Sequence, residues 1–483
     1  MKPANLLFIL SDQHTRDMSG CYGHPVVKTP NIDRLARRGT RFTSAYTNCP
    51  ICVPARASLA TGRYVHQIGN WDNAFPYDGS VPSWSHRLKE QGYRVDSIGK
   101  LHFRDPNDDN GFTEEVDPLH VVEGVGDILG CIRRSPPFRN KRVGIDNAGH
   151  GDSTYLRYDV SNADNAIKWL NEHRNDDRPW CLFLSFVCPH PPYISPPDLF
   201  DLYPLEELSL PSQWEEGQWP THRALDYFRR FFHFDRPFGE SEIRRLTAAY
   251  YGVCTHLDNQ MGRVLEALAS ARLEETTRII YTSDHGESLG ARGLFGKFTM
   301  YEEAASVPLV LAGPDIPISH VCKTPVSLVD CFPSVLDCVG ASAHPDDQNL
   351  PGSSLWTIAN SADEDRTVFS EYHAVGSEHA FYMLRDSTHK YVHYTCDNPQ
   401  LFNLVDDPGE CHDLAADPDQ KALRMERREH LQTILDPDQT DARAKSDQRE
   451  LIESFGGQKA VLARGAFDNS PVPGENPAFR SHK

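Results

Sequence analysis

A continuous apolar run, Leu6-Leu7-Phe8-Ile9-Leu10, that breaks off into Ser11-Asp12-Gln13-His14 constrains this chain more than any other stretch. A run without polar alternation predicts a parallel strand covered on both faces, as in layered α/β architectures. The abrupt change then delivers polar groups to the strand's carboxyl end, where α/β sheets place ligands. The pattern recurs. Tyr93 to Ile98 leads into Gly99-Lys100-Leu101-His102, and Trp180 to Val187 into Cys188-Pro189-His190-Pro191-Pro192. Arg278 to Ser283 leads into Asp284-His285-Gly286-Glu287, with Lys297 shortly after, and Val307 to Leu311 is a further apolar strand. Helices are expected between them. Thr29 as N-cap, Pro30 at the first helical position and Gly39 as a stop predict one. Trp84 to Gln91, the spacing of Ala163, Ala166, Ile167 and Leu170, Glu242 to Leu268, and Val326 to Val339 interrupted by Pro333 predict the others.

A chain of 483 residues accommodates one large α/β unit and a smaller one. From about Asp363 the pattern changes: Thr367 to Tyr372, Ala380 to Leu384 and Lys390 to Tyr394 read as short antiparallel strands, and Lys421 to Leu435 as a charged amphipathic helix. The division expected is therefore residues 1–362 and residues 363–483. Residues 104–159 lack a sustained period and read as a long loop region; residues 194–239 form a second irregular insertion, whose Trp214, Trp219, Tyr227, Phe228, Phe231, Phe232 and Phe234 suit a satellite core better than a binding wall. The tail from Ser446 is expected to wrap over its own or a neighbouring subunit, giving a homo-oligomer, dimer or tetramer.

With 68 acidic against 49 basic side chains the net charge is −19, which opposes nucleic acid as a partner and requires any anionic substrate to be held by a local positive site. No stretch approaches the roughly 20 apolar residues of a membrane-spanning helix. The short N-terminal apolar run does not read as an export signal, and the twelve cysteines are scattered, so reduced thiols and a cytoplasmic location are expected.

Residues 52–63 read Cys-Val-Pro-Ala-Arg-Ala-Ser-Leu-Ala-Thr-Gly-Arg. Arg56 and Arg63 make an electropositive setting that would lower the pKa of Cys52. The plain alternative is that Pro54 opens a helix and Cys52 is a small buried hydrophobe before it. Asp12, Gln13, Asp284 and His285 offer carboxylates, an amide oxygen and an imidazole from two strand ends, an oxygen-rich set suited to Ca²⁺, Mg²⁺ or Mn²⁺ rather than zinc. For Asp284 the alternative is a capped strand-to-helix turn.

Together, C-x-P-x-R followed by Leu-x-Thr-Gly-Arg and the strand-end motifs resemble the type I, formylglycine-dependent sulfatases of the alkaline phosphatase superfamily, over most of residues 5–395. The resemblance implies an alkaline-phosphatase-like α/β/α sandwich with a large, mostly parallel sheet, plus a C-terminal antiparallel sheet and helix. It implies hydrolysis of a small-molecule sulfate monoester to sulfate and an alcohol or phenol. The nucleophile would be a hydrated aldehyde made from Cys52 by a formylglycine-generating enzyme. Carried over residue by residue, Asp12, Gln13, Asp284 and His285, with residue 52, match the ligands of one divalent cation, Ca²⁺ first and Mn²⁺ or Mg²⁺ as alternatives. Gln13 departs from a more usual aspartate and removes one negative charge. Arg56 matches the guanidinium holding the aldehyde hydrate, and Lys100 and His102 a pair flanking it, His102 taking the proton when the hydrate collapses. His190 and Lys297 match groups on the sulfate and its leaving oxygen, and Asp284 a proton acceptor. Asn73 is a weaker candidate for substrate contact.

A phosphonate monoester or phosphodiester hydrolase with the same nucleophile is the nearest alternative. Such enzymes tend to replace the Lys100 and His102 pair by uncharged residues, so the pair favours a sulfate ester. A decayed, non-catalytic binding protein would be expected to have lost Cys52, Arg56 or a ligand, and an unmodified thiol enzyme leaves the ligand set unexplained.

Overall fold

The structure, a computed structural model, describes residues 2–480 apart from 134, 135, 140, 141 and 143. Its centre is an eight-stranded sheet whose strands are, in chain order, β1 (Asn5–Asp12), β2 (Gly39–Phe42), β3 (Arg94–Lys100), β4 (Glu114–Leu119), β5 (Trp180–Pro189), β6 (Thr277–Ser283), β7 (Leu309–Ala312) and β8 (His320–Cys322). The spatial order is β8-β2-β7-β6-β1-β5-β3-β4. From β6 to β4 every pairing is parallel. Strand β7 runs antiparallel to both its neighbours; its apolar run identified a strand but carried no direction.

Strand β1 shows why the apolar run had to be central. Leu6, Phe8 and Leu10 enter one core and Leu7 and Ile9 the other, as a side-chain period of two requires. The first core is closed by helices α2 (Cys52–Thr61), α3 (Trp84–Glu90) and α6 (Cys331–Val339), and the second by α1 (Pro30–Arg37), α4 (Thr154–Glu172) and α5 (Glu240–Ser270). This is the expected three-layer arrangement. A separate four-stranded antiparallel sheet follows, β9 (Val368–Tyr372), β10 (Phe381–Arg385), β11 (His389–Tyr394) and β12 (Gln400–Asn403), with α7 (Lys421–Ile434), α8 (Pro437–Ser454) and α9 (Gln458–Arg464) after it. One face of it shares a core with Tyr46, Cys49 and Ile51, the segment leading into α2, and the other, through Phe369, Tyr382 and Leu384, packs on Leu431 of α7.

Several expectations are corrected. Gly39 begins β2 and does not end α1, whose C-cap is Arg38. Thr29 holds the N-cap position of α1 as expected, but its side chain makes no cap hydrogen bond; the Asp258 carboxylate of α5 accepts from the Asn31 and Ile32 backbone N–H groups instead, at 3.1 and 2.8 Å. Pro333 interrupts nothing: a 3₁₀ turn (Leu328–Asp330) precedes α6, and Pro333 falls in the first turn of α6, where its missing N–H leaves no bond unmade. The region 104–159 contains edge strand β4 and the start of α4. The tail from Ser446 begins inside α8 and packs on its own chain, through Ile452 and Val461 against Ile128, Leu129 and Ile132. Among the described residues no helix is long and apolar enough to cross a membrane.

Candidate active site

The carboxyl ends of β1, β3, β5 and β6 lie along one edge of the sheet, and α2 is laid against them. At the exit of β3, Gly99 lets the strand lie close to β5 and α4: its φ of 91° suits glycine, and a Cβ there would collide with the Ser185 carbonyl and the Asn162 side chain. Cys52 is the first residue of α2, a helix buried along its whole length, so its side chain sits at the end where backbone N–H groups lack intrahelical partners. Its Sγ lies 2.8 Å from Lys297 Nζ, 3.2 Å from His285 Nε2 and 3.7 Å from Asp12 Oδ1.

Asp12, Cys52, Asp284 and His285 offer donor atoms all within 4.8 Å of one another. Their surroundings orient them for a cation. The Nδ1–H of His285 faces the Gly286 carbonyl at 3.1 Å, which leaves the Nε2 lone pair for a ligand bond. Burial pushes this imidazole down to about 4, so it is neutral. Gln13, whose φ of 69° is unusual for its type, is fixed by its backbone N–H on Asp284 Oδ1 at 3.1 Å. Its Nε2 donates to Tyr193 Oη at 3.1 Å and to Glu287, which turns Oε1 towards Lys297 Nζ at 3.0 Å. Two carboxylates, an amide oxygen and one imidazole fit a hard divalent cation.

The cations of the site are ordered by these acids. Lys100 Nζ reaches Asp12 Oδ2 at 2.5 Å. Arg56 donates to Asp284 Oδ2 at 2.8 Å, the Lys100 carbonyl at 2.7 Å and Ser185 Oγ at 2.9 Å, and lies 3.4 Å from Asp12 Oδ2. It braces the two carboxylates from below and is not among the residues lining the cavity. Burial favours the neutral Asp12 acid, but Lys100, His190, Lys297 and Arg56 outweigh it and hold the carboxyl well below its usual range. Burial also opposes the Lys297 charge, yet Cys52 and Asp12 hold its pKa above the ordinary value. His102 and His190 are pushed well below the ordinary imidazole value by burial, with Lys100 and Lys297 respectively adding to it.

Above this floor lies a cavity of about 190 Å³ lined by Gln13, Cys52, Lys100, His102, His190 and Lys297, the last five from four different segments of the chain. Phe232, Phe234, Phe295 and Phe298 line it too, so two aromatics assigned to a satellite core also face the cavity. Asn73 lines it while accepting from the Val53 N–H at 3.2 Å. Arg63 is elsewhere, directed to Asp347. The expected lowering of the Cys52 pKa is reversed: burial, then Asp12, pushes the thiol up to about 11, more than Lys297 and Lys100 compensate. Ser185, Tyr193, Glu287, Tyr155 and Ser470 were not singled out from the sequence, since each acts through a partner distant in the chain.

The sequence profile of the family described as Sulfatase matches residues 4–341, well over half of the chain. The chain belongs to the sulfatase family. A second profile, N-sulphoglucosamine sulphohydrolase C-terminal, matches residues 290–436 of this sulfatase. A choline-sulfatase of Rhizobium meliloti is 32% identical over 437 residues, covering 86% of this chain and 83% of its own. Human arylsulfatase K is 31% identical over 445 residues, covering 86% and 79%. Among solved structures, the phosphonate monoester hydrolase of Agrobacterium radiobacter superposes with a TM-score of 0.72 at 24% identity over 99% of both chains. A 2-O GAG sulfatase does so with a TM-score of 0.70 at 23% identity over 93% and 94%. At these identities the two establish the shared fold. The protein is thus a sulfuric ester hydrolase acting on sulfate monoesters.

Proposed function

We propose that this sulfatase cleaves small-molecule sulfate esters with residue 52 matured to formylglycine by a formylglycine-generating enzyme, beside one divalent cation held by Asp12, Gln13, Asp284 and His285. The observation that carries the reading is the setting of Cys52. Its side chain touches Lys297 and His285 at the mouth of the donor cluster, while burial pushes its thiol up to about 11, the wrong direction for a thiolate nucleophile. Position suits a nucleophile and thiol chemistry does not. The oxygen-rich donors favour Ca²⁺, with Mn²⁺ the alternative because Gln13 is uncharged.

When present, the cation and the hydrated aldehyde supply Lewis acidity and the attacking hydroxyl. The chain's own residues do the rest. Lys100 and Lys297, both buried, neutralise the ester's anionic oxygens at the floor of the cavity, where poorly solvated charges act strongly. Arg56 holds Asp12 and Asp284 at fixed separation so that two acids share a buried site. Lys297, the protonated group in contact with residue 52, delivers a proton to the leaving oxygen, while His190, neutral on the same cavity, is left to hydrogen-bond the ester. His102, neutral and buried, is the group that accepts a proton at the end of the cycle.

Peptide mass spectrometry on the fragment carrying residue 52, after expression with a formylglycine-generating enzyme, tests this directly. The expected result is the mass change of thiol to aldehyde, turnover of an aryl sulfate above the matching aryl phosphonate ester, and loss of about 10³-fold or more in Cys52→Ala. Full activity with an unmodified thiol would overturn the proposal, and a phosphonate preference would transfer the site to the phosphonate hydrolase reading.

A further inference from the structure

The segment from Ala466 to Arg480 belongs to none of the strand-end motifs, yet it reaches the catalytic cavity. Ala466 and Arg480 exchange backbone hydrogen bonds of 3.0 and 2.7 Å, closing the neck of a loop. Inside the neck Phe467 meets Phe479 edge to face at 5.9 Å, and Arg480 pairs with Asp468. The Arg464 guanidinium lies 6.0 and 4.8 Å from the two ring centres and donates to the Gly126 carbonyl at 2.7 Å, which ties the loop to the cavity wall. On the other side Val472 packs against Leu119, Tyr155, Tyr158 and Val187. So held, the Ser470 carbonyl accepts from the Tyr155 hydroxyl at 2.6 Å, and Ser470 Oγ stands 2.9 Å from His102 Nε2.

We propose that Ser470 is a positioning residue that fixes the ring and the tautomer of His102. The backbone of His102 is strained, with a φ of 61°, and is held by its N–H on the Leu119 carbonyl at 2.8 Å. Its ring has one protein partner, Ser470, because Nδ1 is buried with no hydrogen-bond partner among the described residues. A buried N–H without an acceptor is rarer and costlier than an idle acceptor. The proton therefore sits on Nε2, donated to Ser470 Oγ, and the lone pair is on Nδ1. That tautomer is the one able to accept a proton at Nδ1. Ser470 reaches His102 across 368 residues of sequence, and the closed loop supplies the rigidity that an orienting hydrogen bond needs. The inference rests on the proposed role of His102 as proton acceptor.

The test uses the full chain with its ring nitrogens labelled. ¹⁵N NMR of His102, assigned by its disappearance in His102→Gln, is expected to show Nε2 protonated in the wild type and a mixed or inverted tautomer in Ser470→Ala. Steady-state kinetics on an aryl sulfate are expected to show kcat lowered on the order of tenfold in Ser470→Ala with KM little changed, the size of one orienting hydrogen bond. Ser470→Thr, which keeps the hydroxyl, is expected to recover most of that loss. An unchanged His102 tautomer in Ser470→Ala, a loss confined to KM, or no recovery in Ser470→Thr with the fold intact by circular dichroism would each overturn the proposal. The tautomer is read on protein that still carries Cys52, so a failure of the formylglycine reading shows separately, as an inactive wild type with the His102–Ser470 bond intact.

Discussion

Gln13 illustrates how much of this site is decided at the level of single atoms. Its amide could present either end to a cation, and Glu287 and Tyr193 settle the choice by accepting from Nε2. Glu287 is in turn held by the backbone N–H groups of Leu289 and Gly296 at 2.8 and 2.7 Å, so the orientation is inherited from the turn after β6. Outer groups of this kind typically change metal affinity by about 10- to 100-fold. Glu287→Ala is therefore expected to weaken divalent-cation binding by about that factor in calorimetric titration of the metal-free protein. Unchanged affinity would mean that Gln13 is held by something else. His285 is expected to behave more severely: His285→Ala removes a donor outright, and the purified variant should retain well under one equivalent of cation by elemental analysis.

At the scale of elements, α1 and α5 are joined by an acid that acts as a cap from outside the helix. Asp258 accepts from the Asn31 and Ile32 N–H groups and from Asn31 Nδ2 at 2.8 Å. Burial pushes its carboxyl up to about 6, and these hydrogen bonds only partly oppose that shift. The folded-state value lies above the unfolded value of about 3.9, so the folded protein binds more protons between the two. This residue's contribution to stability is therefore full below about pH 4 and falls as pH rises towards 6 and beyond. Asp258→Asn removes that slope. The wild-type advantage in unfolding free energy over Asp258→Asn is expected to be larger at pH 4 than at pH 7 by about 2 to 3 kcal/mol, read from urea unfolding at the two pH values. Equal differences at both would show that the carboxyl does not titrate in this window. Thr29 was the local candidate for the cap, by residue type and position. The true cap lies in another helix, and no window of sequence around α1 contains it.

At the scale of the whole molecule, the two sheets are pinned by a buried group of charges. Lys390 of β11 is fully buried and pairs with Glu302 at 2.7 Å and Glu410 at 2.8 Å, while Arg16, just beyond β1, donates to Glu302 at 2.9 Å. Lys390→Met leaves two buried carboxylates without their shared cation and is expected to destabilise the protein by about 3 to 5 kcal/mol in urea unfolding; a loss below about 1 kcal/mol would mean that the pair is not held dry. The same distinction of range separates what could be read along the chain from what could not. Strand β1 and its exit at Asp12, the strand-end pair Asp284 and His285 that joins Asp12 and Cys52 in one cluster, and the segment carrying Cys52 and Arg56 were readable because hydrophobic period and residue type are local properties. The antiparallel course of β7, the fourth strand Gln400–Asn403 and the bracing role of Arg56 were not. Direction, pairing and the partner of a guanidinium are settled by residues far apart in the chain. The pKa of Cys52 went the other way from its arginine-rich neighbourhood because burial and Asp12 enter only once the sheet and α2 are assembled. Amino-acid order alone thus determined the layers, the strand exits and the chemistry available at each. Which of those groups touch, how they are charged, and that Ser470 closes on His102 follow from packing, because hydrogen bonds and desolvation depend on distances that only the folded chain possesses.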